Sequence, residues 1–420
     1  MGGHEMAPQT PQRSGRRGEA APPLDALRGE AAPPLDALRG EAAPPLDALR
    51  GEAAPPLDVV LDTRFGSGWI SGVLAVTFAG LAYGGVLCLL FPWLLTTPDA
   101  RPLYPLAVVR WLIRAFLITG FGLGVLSVLL RRHARLGLTG VGLALAAVLV
   151  GGAETPVGAM RDTPAYVGLD WFLLNMLLLA LAFVPLERLF ALRAAQPIFR
   201  AGWQTDLGYF AVSHLLVQIT VLLTLAPATL LFAWAARPAL HHVVAGQPLA
   251  VQFLEIVLVA DLAEYVVHRL FHRVPWLWRF HRIHHSAEAM DWLAGSRLHL
   301  VDIVLTRGLS FVPLYILGFA APALYAYLVF VSFHAVFIHA NVRFRLRAVE
   351  WLLVTPRFHH WHHAREAAAV DKNFAVHLPW IDRMFGTAYL PAERWPDAYG
   401  VSGARVPEGW LRQLVLPFRR

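Results

Sequence analysis

Long apolar stretches are the feature of this sequence that most restricts its fold. A helix needs about 20 residues to cross the hydrocarbon layer of a membrane. Six stretches approach or exceed this length, at 69–91, 105–130, 136–153, 169–186, 207–234 and 251–267, and a shorter pair follows at 301–319 and 321–338. With 56% hydrophobic and 15% charged residues, the chain is too apolar for a soluble protein of 420 residues. It is therefore predicted to be an all-α integral membrane protein with about eight apolar helices.

The first 64 residues differ from the rest because they are polar and rich in proline and alanine. Between Gly18 and Asp58 the 11-residue unit GEAAPPLDALR occurs three times in tandem, followed by an incomplete fourth copy. Each Pro-Pro pair interrupts a helix, and two leucines per unit cannot form a core. We predict a disordered tail at 1–64, without the apolar segment of a signal peptide.

The arginines predict the orientation in the membrane. Loops on one side hold a single arginine each, Arg101, Arg161 and Arg237, whereas those on the other side are richer, for example at Arg131, Arg132 and Arg135. Because arginine favours the cytoplasmic side, the N-terminus and residues 268–297 are expected there. This pattern also explains the net charge of +7 without nucleic-acid binding. The predicted regions are an N-terminal transmembrane region at 65–235, a second domain at 250–390 and a cytoplasmic tail at 391–420.

Histidines are concentrated in the C-terminal half of the chain. Thirteen of the 18 lie between His268 and His377, and eight of these form the boxes HxxxH, HxxHH and HxxHH: His268, His272, His281, His284, His285, His359, His362 and His363. Residues three or four apart share one face of a helix, so each box can direct its imidazoles to one point. With His339 they exceed the capacity of one ion, which predicts two metals. Cys88 is the only cysteine, so thiolate clusters are excluded.

Acidic residues accompany the first box. Asp261 and Glu264 recur with His268 and His272 along one helical face, where carboxylates could accept the second N–H of a ligand. The last two apolar helices, whether they span fully or form a re-entrant hairpin, return the chain to the cytoplasmic side. The predicted architecture is a multi-span bundle with a cytoplasmic helical cap that holds a histidine-rich di-metal site.

The boxes and the sequences around them resemble the fatty acid hydroxylase and sterol desaturase superfamily. Supporting strings are LWRFHRIHHSAE, TPRFHHWHH, DKNF and IDRMFGT, and the resemblance covers about 251–390. It implies nine ligands, the eight box histidines and His339, while His360 occupies a variable place. Glu288 matches an acid of the alkylglycerol monooxygenase branch. We assign candidate catalytic roles to Asp261, Glu264 and Glu288.

The resemblance also implies a reaction. Two iron ions, with zinc as another metal that suits imidazole, would use O₂ and external electrons to hydroxylate or desaturate a membrane lipid, which could be a fatty acyl, sterol-like or ether lipid. No GxGxxG or haem-attachment motif occurs, so the redox partner would be a ferredoxin, a cytochrome b5-like protein or a pterin. A histidine-lined metal or proton transporter and a zinc-stabilised non-catalytic protein remain alternatives. The expected location is a bacterial inner (plasma) membrane.

Overall fold

A computed structural model describes residues 66–419 apart from 131, 162–165, 216, 393 and 404–405. The predicted disordered tail lies outside this range. The described residues belong to one compact unit and contain no strand, only two isolated bridges. The prediction of an all-helical membrane protein is confirmed.

Fifteen α-helices occur among the described residues. They are α1 (Trp69–Leu90), α2 (Pro92–Leu95), α3 (Leu106–Leu129), α4 (Ala134–Leu149), α5 (Leu169–Leu189), α6 (Trp203–Leu215), α7 (Val217–Leu231), α8 (Pro238–Ala245), α9 (Leu249–Arg273), α10 (Pro275–His281), α11 (Leu300–Leu317), α12 (Ala321–His339), α13 (Pro356–His362), α14 (Pro379–Met384) and α15 (Trp410–Val415).

Six of these helices are long and apolar enough to cross a membrane: α1, α3, α4 with its extension to Glu154, α5, α11 and α12. A seventh span results if α8 and α9 count as one broken helix, since they meet at an angle of 118°. The predicted fifth span, 207–234, corresponds to α6 and α7 on either side of residue 216. The predicted sixth span lies within α9.

Small residues bring α1, α3 and α4 together. A Cβ atom on Gly120 would lie 2.8 Å from the backbone nitrogen of Ala79, and one on Gly137 would lie 2.5 Å from the carbonyl oxygen of Gly124. Glycine is therefore required at both close approaches. Side chains with exposed apolar surface cover the outside of these helices, as expected for a lipid-facing bundle.

Three apolar helices have their ends at the cap that holds the histidines. α9 and α12 end there and α11 begins there, because α11 runs antiparallel to both. Pro275 starts α10 directly after α9 ends, so the chain turns at Val274. At the opposite end of α11, the Nε2 atom of His241 lies 3.1 Å from the carbonyl oxygen of Ile316. The pair His241 and His242 is therefore remote from the histidine boxes.

Candidate metal centre

Nine imidazoles meet at the cap in two groups. Within each group, one ring nitrogen of every histidine lies within 4.8 Å of those of the others. The first group, called here the five-histidine group, contains His268, His272, His281, His285 and His362. The second, the four-histidine group, contains His284, His339, His359 and His363. These nine residues are the ones expected from the boxes and from the resemblance.

The two groups share the second and third boxes. α9 supplies both histidines of the first box to the five-histidine group, and the end of α12 supplies His339 to the other. Neighbours in sequence separate: His284 and His285 belong to different groups, as do His362 and His363. Thr355 is the N-cap of α13 and Pro356 occupies its first position, so the start of this helix, and with it the position of its histidines, is fixed.

Backbone carbonyl groups orient four of the imidazoles. Such oxygens only accept hydrogen bonds, so the ring Nδ1 atom facing each one must carry the proton. The pairs of Nδ1 and carbonyl oxygen are His268 and Phe374 at 2.8 Å, His284 and Arg297 at 3.2 Å, His339 and Ala335 at 2.6 Å, and His362 and Lys372 at 2.8 Å. In a neutral ring, this protonation leaves Nε2 with a free lone pair.

Two carboxylates orient two further rings. Asp302, in the first turn of α11, lies with its Oδ2 atom 2.7 Å from Nδ1 of His281, and both side chains are buried. Asp371 lies with its Oδ1 atom 3.3 Å from Nδ1 of His272. Carboxylates in this position fix the tautomer of a metal-binding imidazole and make its other nitrogen a better ligand.

The free nitrogen atoms face one another. The Nε2 atoms of His268 and His281 are 3.0 Å apart, those of His285 and His281 3.2 Å, and those of His339 and His284 3.4 Å. Burial holds the pKa of His281, His284 and His285 well below its ordinary value, and neighbouring imidazoles lower it further. In the His268–His281 and His284–His339 pairs, both rings are neutral. Each pair therefore places two nitrogen lone pairs opposite each other with no proton between them.

A metal ion bound by these lone pairs would account for their close approach. Two nitrogen atoms that each lie about 2.1 Å from one ion at tetrahedral or octahedral angles are separated by roughly 3.0 to 3.4 Å. The observed separations of 3.0 to 3.4 Å fall in this range. In addition, Nε2 of His272 and Nε2 of His362 are buried without a hydrogen-bond partner among the described residues. The donor set therefore fits two ions with nitrogen ligands.

The structure places the three predicted catalytic acids outside both groups. Asp261 is fully buried, but its carboxylate accepts backbone N–H groups of residues 376–378 at 2.8, 3.1 and 2.6 Å instead of a histidine N–H. Glu288 is exposed to solvent, and Glu264, one turn before His268, is half-buried. The expected acceptance of ligand N–H groups by Asp261 is thus incorrect, because its oxygens are already occupied by the chain after the third box.

Histidines of this region that were not assigned as ligands have other partners. His360 bonds through Nδ1 to the hydroxyl of Tyr399 at 2.9 Å. His299 caps α11 by accepting the N–H of Val301. His334 and His377 face each other with their Nδ1 atoms 3.0 Å apart, away from both groups. These four histidines therefore have structural contacts of their own, and the two groups contain only the box histidines assigned as ligands and His339.

Residues before the histidine boxes also support the cap, which the sequence did not indicate. Arg200 binds the buried carboxylates of Asp206 and Asp291, with 2.8 Å between Arg200 Nε and Asp291 Oδ2, and Arg297 binds Asp206. Glu187, near the end of α5, accepts the backbone N–H of Trp292 at 2.6 Å and that of Asn341 at 2.9 Å. The ends of α5 and α6 are therefore part of the framework around the histidines.

Comparison with known proteins confirms the resemblance. Residues 253–387 match the fatty acid hydroxylase family model. Over 192 residues, 45% of this chain and 58% of the relative, the sequence is 32% identical to the ornithine lipid hydroxylase OlsE of Rhizobium tropici. It is 34% identical over 143 residues, 34% of this chain and 31% of the relative, to human alkylglycerol monooxygenase. It is 32% identical over 148 residues, 31% of this chain and 40% of the relative, to the fatty acid hydroxylase vlmA of Lecanicillium sp.. No solved structure matches.

Proposed function

We propose, starting from a fatty acid hydroxylase domain at residues 253–387, that the chain is a membrane-bound di-iron oxygenase that hydroxylates a lipid. The observation that carries the proposal is the pairing of unprotonated ring nitrogens 3.0 to 3.4 Å apart in two groups of neutral, buried histidines. The five-histidine group and the four-histidine group would each hold one ion. When bound, two ferrous ions would supply the O₂ activation that lipid C–H oxidation requires.

The protein itself would fix the geometry and exclude water. Carbonyl groups and the carboxylates of Asp302 and Asp371 hold six rings by their Nδ1 atoms, so the ligands need no reorganisation when metal binds. Eight of the nine histidines are buried, and Phe358 and Phe374 pack in the core beside them. Burial of this kind keeps water away from the two groups and limits loss of oxidant to solvent.

A lipid substrate is supported by where the ligands lie. His268 and His272 end α9 and His339 ends α12, and both helices are strongly apolar. An acyl or ether chain could therefore reach the ions from the bilayer without entering water. The names of the relatives favour hydroxylation over desaturation, and an acyl, amino-acid or ether lipid as the substrate class. We place the cap on the cytoplasmic side of a bacterial plasma membrane, following the arginines.

Metal analysis and lipid profiling together test this proposal. Purified protein should contain about two irons per chain, and cells that make it should accumulate a lipid heavier by one oxygen atom. His284→Ala and His285→Ala each remove a ligand of a different group, and each should lower iron content and abolish the product. The matched control is His241→Ala with His242→Ala, at the far end of α11.

Three outcomes would change the conclusion. Folded protein without metal would refute the oxygenase. A lipid lighter by two hydrogens would replace hydroxylation with desaturation. Stoichiometric zinc in protein from iron-supplied cells, without any lipid product, would favour the non-catalytic alternative.

A further inference from the structure

His272 is linked to the surface of the protein through Asp371. The His272 side chain is only 6% exposed, so its imidazole is buried like those of the other histidines. Its Nδ1 atom contacts Asp371, whose side chain is 31% exposed. The carboxylate of Asp371 therefore connects the five-histidine group, through His272, to the protein surface.

The Trp278 side chain packs against His272. Its ring centroid is 5.1 Å from that of His272 and 5.4 Å from that of His285, which belong to the same group. Trp278 is itself half-buried, so it also reaches the surface. An aromatic ring in contact with two ligands provides a short path for electrons from the surface to the five-histidine group.

The surface around Asp371 is positively charged. The Nε atom of Arg273 lies 3.6 Å from Asp371, and the Arg273 side chain is 59% exposed. The hydrogen bond from His272 lowers the pKa of Asp371 most, and the charges of Arg273 and Arg269 lower it further. Lys372 follows Asp371 directly in the sequence. We call Arg269, Arg273 and Lys372 the basic rim.

We propose that the basic rim is the docking site of an acidic one-electron carrier protein, and that electrons enter the five-histidine group beside Trp278. This inference rests on the proposed function. Hydroxylation converts R–H, O₂, two electrons and two protons into R–OH and water, so the carrier must dock and donate twice per product. Positive surface charge attracts an acidic partner and raises its association rate by about tenfold or more at low salt.

Lys372 makes the docking site directly detectable because it is the only lysine among the 420 residues. A carbodiimide joins a carboxylate to an amine only when the two are in contact. The probe is an acidic [2Fe–2S] ferredoxin, mixed with the full-length protein in nanodiscs of neutral phosphatidylcholine. We expect a crosslink from ferredoxin to Lys372, identified by peptide mass spectrometry and lost at high salt. Its absence, or crosslinking confined to the terminal amine, would overturn the proposal.

Charge reversal supplies a second measurement. Arg269→Glu with Arg273→Glu should weaken ferredoxin binding at least about tenfold at low salt, and Arg273→Glu alone should show part of this loss. The control pair is Arg188→Glu with Arg412→Glu, two exposed arginines on other elements. Unchanged affinity in the rim variants would refute docking there. An effect seen only in nanodiscs with anionic lipid would assign the rim to lipid headgroups instead.

Trp278→Leu separates electron entry from docking. We expect unchanged ferredoxin binding and metal content but several-fold slower reduction of the iron by ferredoxin, with reduction by dithionite preserved. Equal slowing with both reductants would show that Trp278 only supports the ligands. Failure of the proposed function would look different: the crosslink and the charge dependence would remain, but no hydroxylated lipid would form.

Discussion

Replacing Asp302 by asparagine tests how a residue that touches no metal controls one ion. Its Oδ2 atom lies 2.7 Å from Nδ1 of His281, and its Oδ1 atom accepts the hydroxyl of Thr306 at 3.1 Å. An asparagine can keep both contacts by facing His281 with its oxygen and Thr306 with its amide nitrogen. The change therefore removes the charge while it preserves the shape.

The size of the effect can be worked out in two ways. A buried hydrogen bond to a charged group contributes about 1.5 to 3 kcal/mol. Changes of this kind behind a metal-binding histidine reduce affinity about 10- to 100-fold, which corresponds to about 1.4 to 2.8 kcal/mol. Both routes predict a 10- to 100-fold loss. Because His281 belongs to the five-histidine group, only one of two ions should be affected.

Chelator competition with the purified protein resolves the two ions. The Asp302→Asn variant should release one ion at a 10- to 100-fold lower chelator concentration and retain the other at the wild-type value. Thr306→Val, which removes only the outer hydrogen bond, is the control and should show a much smaller shift. Equal weakening of both ions, or of neither, would refute the assignment of His281 and Asp302 to a single site.

Three further predictions concern the framework. Asp261→Asn should lower the free energy of unfolding by about 1 to 3 kcal/mol, because it leaves a buried N–H of residues 376–378 facing an amide donor; unchanged thermal stability would contradict this structural role. Burial lowers the pKa of His377 to about 3, from about 6.5 in an unfolded chain. Below pH 6.5 the unfolded state therefore takes up a proton that the folded state does not bind. The free energy of unfolding of metal-free protein should fall by up to about 1.4 kcal/mol per pH unit between these two pKa values. His377→Phe should reduce the loss of stability between pH 7 and pH 5, as measured by thermal unfolding. An unaltered slope would contradict the assignment of this pH dependence to His377. Deleting residues 18–58 should leave membrane insertion and metal content unchanged, as measured in the membrane fraction.

The helices and the eight box histidines could be predicted because both follow from local patterns. Length and apolar character predict spans, and a spacing of three or four places histidines on one helical face. The division of His284 and His285 between groups does not follow from spacing. Successive side chains of a helical turn point about 100 to 120° apart, so the two rings separate, but only the packing around the 3₁₀ turn at His284–Ser286 shows which group each ring enters.

Acidic residues were harder to assign because sequence does not show which way a buried carboxylate points. Asp261 has the helical spacing of a ligand partner, yet it binds the chain at 376–378. Asp302 is about 20 residues from His281 in sequence, and only the packing of α11 beside α10 brings them together. The DKNF string was recognised, but not its role: Asn373, at φ 59°, donates to the carbonyl oxygens of Phe358 and Tyr389 and so fixes the loop behind α13.

Consecutive histidines that serve different groups have a consequence for how metal is lost. The pairs His284–His285 and His362–His363 tie both groups to the same short backbone segments, so covalent geometry limits how far the two groups can move apart. A side-chain change that leaves the backbone in place can weaken one ion alone. A fluctuation that unwinds α13, however, withdraws ligands from both groups at once, so metal loss by that route should release two ions in one step.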